Sequence, residues 1–246
     1  MKVLQILPQL NIGGVERGTL DLSKALIHKG HESFVISGGG ILVDELEQLG
    51  AKHYEIPVHI KSLRTLSLAK SLSETISSID PDIVHIRSRM PAWVNYRAFK
   101  MLQKKPLLVS TFHGLYSFPI YSKVMSFVDH SIAISKTVES YILENYKLDK
   151  NDITVIPRGC DPVEFNNDEI NPDDKAEIIN EFPQIVGKTV LTIPGRITKW
   201  KGVAEFIELL SLLDDNYHGL IVGPTAKSKK KYLKRLKNKV SSLDLE

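Results

Sequence analysis

Three short stretches of this chain carry residues able to handle a charged ligand. In NIGGVERG, residues 11–18, a Gly13-Gly14 pair falls between an apolar strand-like run and a helical pattern. Glycine there permits positive φ and lets a ligand approach the backbone, while the following helix aims its free amides at an anion. A tight structural turn fits these residues as well as an anion site does. The third glycine is Gly18, and this G-G-x-x-x-G spacing differs from the G-x-G-x-x-G fingerprint of dinucleotide binding. In GRITKWKG, residues 195–202, Gly195 opens a turn after a strand, and Arg196 and Lys201 flank a loop that leads into a helix. A guanidinium fork, an ammonium and helix amides in one place suit a diphosphate; two solvated basic residues are the plain alternative. In STFHGLY, residues 110–116, His113 follows a strand at the sheet edge where open α/β folds bind ligands, so it is either a structural histidine or one that faces the cleft.

Two basic groupings stand beside these. Arg87, Arg89 and Arg97 follow the strand-like DIVHI and could take an acidic or phosphorylated substrate, or simply line a helix face. Residues 227–239 hold eight Lys and Arg and no acid, so the formal net charge of +3 is local to that run and the remainder is net acidic. With Tyr232, Leu233, Leu236, Val240 and Leu243 on one side, the run reads as a sheet-covering helix with solvated lysines. The competing reading is contact with an anionic membrane surface. No aromatic platform accompanies the charge, which argues against nucleic acid. His28 and His31 are the only closely spaced histidines and no acidic group completes a ligand set, so no metal site is expected. The single Cys160 excludes an internal disulfide. The N terminus is broken by Gln5, Pro8 and Gln9, too short and polar for a signal peptide, and no run reaches the roughly 20 apolar residues of a membrane span. A cytoplasmic protein is predicted, with the basic run able to hold it at the inner face of the membrane.

The elements that position these residues alternate. Strands are predicted at 3–7, 33–37, 53–56, 82–86, 107–111, 130–134 and 153–156, with helices at about 14–29, 41–49, 63–79, 90–103, 119–127 and 135–146 between them. That is the pattern of an α/β, doubly wound parallel sheet. A Pro-, Asn- and Asp-rich stretch follows Ile156 and reads as a linker. A helix near 173–181, strands at 189–193 and 219–223, a helix at 201–213 and the basic helix come next. The predicted division is 1–165 and 166–246, the second domain being left incomplete by its two strands.

Taken in order, NIGGVERGTLDLSKALIHKGHE, DPDIVHIRSR, STFHG, HSIAISK, VIPRGCDPVEF and PGRITKWKG resemble the family 4 glycosyltransferases of the GT-B fold, from residue 1 to about 225. The resemblance implies two Rossmann-like domains and a retaining transfer of sugar from a nucleotide diphosphate donor to a glycan or lipid-linked acceptor, often in lipopolysaccharide or other surface-glycan assembly. It implies that Gly13 and Gly14 lie near the donor diphosphate, that Arg196 and Lys201, with Gly195, neutralise the departing diphosphate, and that His113 lies near the donor sugar. Arg87 and Arg89 fall on the acceptor side, and no cofactor or metal is expected. The family usually has Asn where this chain has Arg158, and the acidic E-x7-E motif of its second domain does not follow Lys227. A truncated, non-catalytic binding paralogue and a GT-B nucleotide-sugar epimerase are the alternatives.

Overall fold

The structure is a computed structural model describing residues 1–60, 63–116, 119–163, 165–166 and 171–245. Glu164 and residues 167–170 of the predicted linker lie outside the described residues. The chain divides into two compact units, Met1–Asp161 and Pro162–Glu246.

The first unit runs β1 (Lys2–Ile6), α1 (Gly14–His28), β2 (Glu32–Ser37), α2 (Val43–Gln48), β3 (Lys52–Glu55), a 3-10 turn (Leu63–Leu68) leading into α3 (Ala69–Ile79), then β4 (Ile83–Ile86), α4 (Arg89–Phe99) and β5 (Leu107–Phe112). It continues with the single turn α5 (Pro119–Ser122) and a 3-10 turn (Lys123–Ser126), β6 (His130–Ala133), α6 (Lys136–Asn145) and β7 (Ile153–Val155). The seven strands are parallel in the order β3-β2-β1-β4-β5-β6-β7. Both faces are covered. Leu7, Leu10, Leu20, Val35 and Leu46 form the core under α1 and α2. A larger core, including Leu4, Phe34, Ile76, Val94, Phe112 and Ile142, fills the opposite face. Burial on both faces is why the central strands β1, β2 and β4 are rich in Val, Ile, Leu and Phe, with Gln5, Ser33, Ser37 and His85 the buried polar residues among them.

Helix ends follow local chemistry. Helix α1 closes at His28, with Lys29 as cap and Gly30 in the left-handed region at φ 74°, a basic last turn followed by a glycine stop. Ser135 caps α6 by accepting from the Val138 amide. The predicted helices at 63–79 and 119–127 are shorter than expected, because Leu63–Leu68 of one and Lys123–Ser126 of the other are wound as 3-10 turns.

The second unit contains α7 (Pro172–Glu181), a 3-10 turn (Pro183–Ile185), β8 (Thr189–Pro194), a 3-10 turn (Lys199–Lys201), α8 (Val203–Leu210), β9 (Tyr217–Val222), a short 3-10 turn and α9 (Lys230–Ser242). Strands β8 and β9 pair in parallel. The buried core here is small: Ile197, Val203, Ile207 and Leu236.

Candidate functional site

The strand order of the first unit reverses direction between β1 and β4, and the crevice at their carboxyl ends is where open α/β sheets take ligands. The loop leaving β1 is braced by the loop leaving β2. Leu10 donates to the Gly39 carbonyl at 2.8 Å, Gly38 to Pro8 at 2.9 Å and Leu42 to Leu10 at 2.9 Å. Gly40, at φ 143°, sits so close that a Cβ would overlap the Leu10 carbonyl. The Gly38-Gly39-Gly40 triplet is therefore part of the site's scaffold, and a run of three glycines after a strand is the sequence signal that points to it. Ile12 at the loop tip is 74% exposed. Gly13 is the N-cap of α1, in extended backbone, and the Glu16 carboxylate folds back against it. An acid three residues past the cap is favourable to the helix start, and an anion approaching those amides meets Glu16 first.

Arg87 emerges from β4 into this crevice and is only 4% exposed. Its Nη1 donates to Gln5 Oε1 at 2.8 Å. Gln5 is fully buried, and its Nε2 donates to the Thr19 carbonyl at 3.1 Å and to Ser23 Oγ at 3.0 Å. This polar network under α1 fixes the guanidinium, yet Arg87 Nε has no hydrogen-bond partner among the described residues. Arg158 comes from the segment after β7 and lies flat on α1: a Cβ at Gly18 would stand 2.5 to 2.7 Å from its guanidinium atoms, and one at Gly14 would stand 3.7 Å away. Burial, then the Arg158 charge, draws Arg87 down to about 10, so it stays cationic at neutral pH.

His113 follows β5 at the same edge. Burial, with Arg87 and Arg158 adding repulsion, pushes it down to about 3, and its buried Nε2 has no partner among the described residues. It is thus a neutral imidazole with a hydrogen-bonding nitrogen to offer. The fully buried His85 is lowered too, chiefly by desolvation, and its Nε2 meets Thr111 Oγ1 at 2.7 Å.

The three arginines read together in the sequence separate in the fold. Arg89 stacks over the rings of Tyr116 and Tyr121, 4.7 and 5.4 Å from their centroids, with Nη1 3.4 Å from Ser122 Oγ. Arg97 is exposed in the last turn of α4.

In the second unit, Gly195 leaves β8 at φ 140°, and the loop returns through the 3-10 turn so that Lys201 lies over it, Cε 3.5 Å and Nζ 3.9 Å from where a Cβ would be. Arg196 and Lys201 are both exposed there, and Trp200 between the two is 95% exposed. Gly223 packs against the Gly195 carbonyl so closely that no side chain fits. Helix α9 buries Leu236 against Val203 and Ile207 and pairs Lys239 with Glu208, so its apolar side covers α8 while Lys231, Lys234, Arg235 and Lys237 face outward.

A cavity of about 410 Å³ lies at the other edge of the first sheet, beside Ile76, Asp80, Pro81, Lys104 and Pro106, where β4 and β5 begin. It holds none of the residues above. Among the described residues no three His, Cys, Asp or Glu side chains gather as metal ligands, and no helix is long and apolar enough to cross a membrane.

The sequence profile of Glycosyltransferase Family 4 matches residues 12–164. The chain is 32% identical over 148 residues to an uncharacterized glycosyltransferase of Methanocaldococcus jannaschii, a match covering 53% of this chain and 36% of that protein. It is 25% identical over 187 residues to a component of the human phosphatidylinositol N-acetylglucosaminyltransferase, covering 69% of this chain and 38% of that one. The crystal structure of a glycosyltransferase from Rickettsia africae matches with a TM-score of 0.83 and 34% identity over 99% of this chain and 65% of its own. That of Anabaena HepE in complex with UDP and glucose gives 0.84 at 19% identity, over 100% and 67%, a likeness of fold that agrees with the GT-B architecture. The chain therefore spans about two thirds of these solved structures and little more than a third of the curated relatives.

Proposed function

The chain belongs to glycosyltransferase family 4, and from that premise we propose that it transfers a sugar, with retention, from a nucleotide diphosphate donor to a glycan or lipid-linked acceptor. The observation that carries this reading is the return of Lys201 over Gly195 beside Arg196, which sets an ammonium and a guanidinium at the carboxyl end of β8. In the transfer, the bond between the sugar's anomeric carbon and the diphosphate breaks, a bond from an acceptor hydroxyl forms, and the hydroxyl proton leaves with the diphosphate. Negative charge grows on the diphosphate in the transition state, so cations fixed there lower the barrier. The complex of HepE with UDP and glucose supports a nucleotide-sugar donor for a chain of this fold.

Roles for the other residues follow from their surroundings. The amides of Gly13 and Gly14 offer donors to a phosphate once Glu16 yields its place. His113, kept neutral, hydrogen-bonds a sugar hydroxyl through Nε2 and does not act as an acid. Arg87 and Arg89 belong to acceptor binding, Arg89 through the aromatic wall it stacks upon. The protein's own cations take the place of a divalent metal, so chelation by EDTA leaves the rate unchanged. The setting proposed is cytoplasmic assembly of lipopolysaccharide or another surface glycan, with the outward lysines of α9 resting against anionic lipid.

The test is acceptor-dependent release of nucleoside diphosphate from a panel of nucleotide sugars, with the product's anomeric configuration read by NMR. An inverted product removes retention. Epimerised donor with no acceptor requirement establishes the epimerase alternative instead.

A further inference from the structure

We propose that Arg87 and Arg158 together bind one anionic group, a phosphate or a carboxylate, carried by the acceptor. The argument starts from an imbalance of charge. Arg87 is 4% exposed, is held by a single hydrogen bond to the neutral Gln5, and leaves Nε without a partner. Among the described residues no carboxylate forms an ion pair with it; Glu16 and Asp21 act on it only from a distance. A buried, unpaired cation is costly, and a second guanidinium near it adds repulsion. The fold nevertheless brings Arg158 in and makes room for it.

That room is built by α1. Gly18 has no Cβ, and any Cβ would sit 2.5 to 2.7 Å from the Arg158 guanidinium. The segment is also anchored: Asp161, three residues on, takes Lys24 of α1 at 2.8 Å, which ties the chain after Arg158 to the helix. The buried fork of Arg87 and the exposed, movable fork of Arg158 thus meet at the start of α1, at the ligand edge of the sheet, with a helix dipole of matching sign. Such an arrangement recognises a planar or tetrahedral oxyanion and neutralises what the protein leaves unbalanced. His113, being neutral, supplies no compensating charge.

Assignment of the anion to the acceptor rests on the proposed function, in which the donor diphosphate is served by Arg196 and Lys201. The anion site itself stands on the first unit alone.

The experiment is calorimetric titration of the chain, at pH 7.5 and low salt, with glucose 6-phosphate, glucuronate, glucose and UDP. Glucose 6-phosphate or glucuronate is expected to bind and glucose is not, the tighter of the two naming the group. Arg158→Gln, and separately Gly18→Ala, which keeps the charge but displaces it, are each expected to weaken that binding by about tenfold or more, while UDP binding is unchanged. Failure of both anions to bind, or equal binding by Arg158→Gln, overturns the site. A loss of UDP affinity in Arg158→Gln as large as the loss for the sugar anion overturns the acceptor assignment. Failure of the transferase reading shows separately, as UDP binding indifferent to Arg196→Ala.

Discussion

Arg196, Lys201 and His113 are legible as candidates because each sits in a short motif at a strand end, where local residue types reveal the chemistry. Gln5 is not, since nothing in VLQIL announces that its amide joins Thr19, Ser23 and Arg87 under a helix. Nor is the partnership of Gly18 with Arg158, which are far apart in sequence and meet only through the sheet. Arg196→Ala and Lys201→Ala are each expected to lower kcat by about 10² to 10³ while acceptor affinity stays within a factor of about two, because their charge matters most as the diphosphate leaves. Steady-state kinetics with acceptor varied separates the two parameters. His113 gives a pH prediction. Its folded value of about 3 lies below its ordinary 6.5, so as pH falls through 6.5 the unfolded chain takes up a proton that the folded chain refuses. The stability it contributes is complete above pH 6.5 and drains away toward pH 3, at up to about 1.4 kcal/mol per pH unit. Urea midpoints measured from pH 7.5 to 5 are expected to fall less steeply in His113→Asn than in the parent.

At the scale of elements, the alternation of short β-rich runs with helical stretches places all seven strands of the first sheet, even where a strand carries polar residues, as β3 (KHYE) and β6 (HSIA) do. The segments at 63–68 and 119–126 are not α-helix over their full length, as the sequence pattern suggests. Both carry apolar residues at helical spacing, but periodicity cannot distinguish a 3-10 turn from an α-turn in so short a stretch. The basic run admits two readings from sequence, and its apolar side proves to cover α8. Two glycines in the first unit are expected to respond oppositely to Ala. Gly40→Ala meets the Leu10 carbonyl from a left-handed backbone, and a thermal melt is expected to show a loss of about 1–3 kcal/mol. Gly18→Ala meets only the movable end of Arg158, and within a helix it gains up to about 1 kcal/mol of propensity, so the melt rises or holds while anion binding falls. A protein whose Gly18→Ala variant melts lower than the parent does not have Arg158 free to move aside.

For the whole molecule, the division near residue 161 follows from where the cores lie. The first unit encloses a two-sided sheet, whereas α7 at the start of the second buries none of its residues. Pro- and Asn-rich composition alone puts the division at 165/166, four residues beyond the observed one. Limited proteolysis is expected to leave the first unit, Met1–Asp161, intact while the second is degraded; early cleavage within β1 to β7 would show that its core is weaker than its burial implies. The central claim is that cations of the second unit serve a nucleotide diphosphate during sugar transfer. It is tested most directly by following nucleoside diphosphate release by ³¹P NMR, with acceptor present, for the parent and for Arg196→Ala combined with Lys201→Ala. The expected result is acceptor-dependent release in the parent that falls by about 10³ or more in the double variant. Release at a similar rate in both proteins would contradict the account.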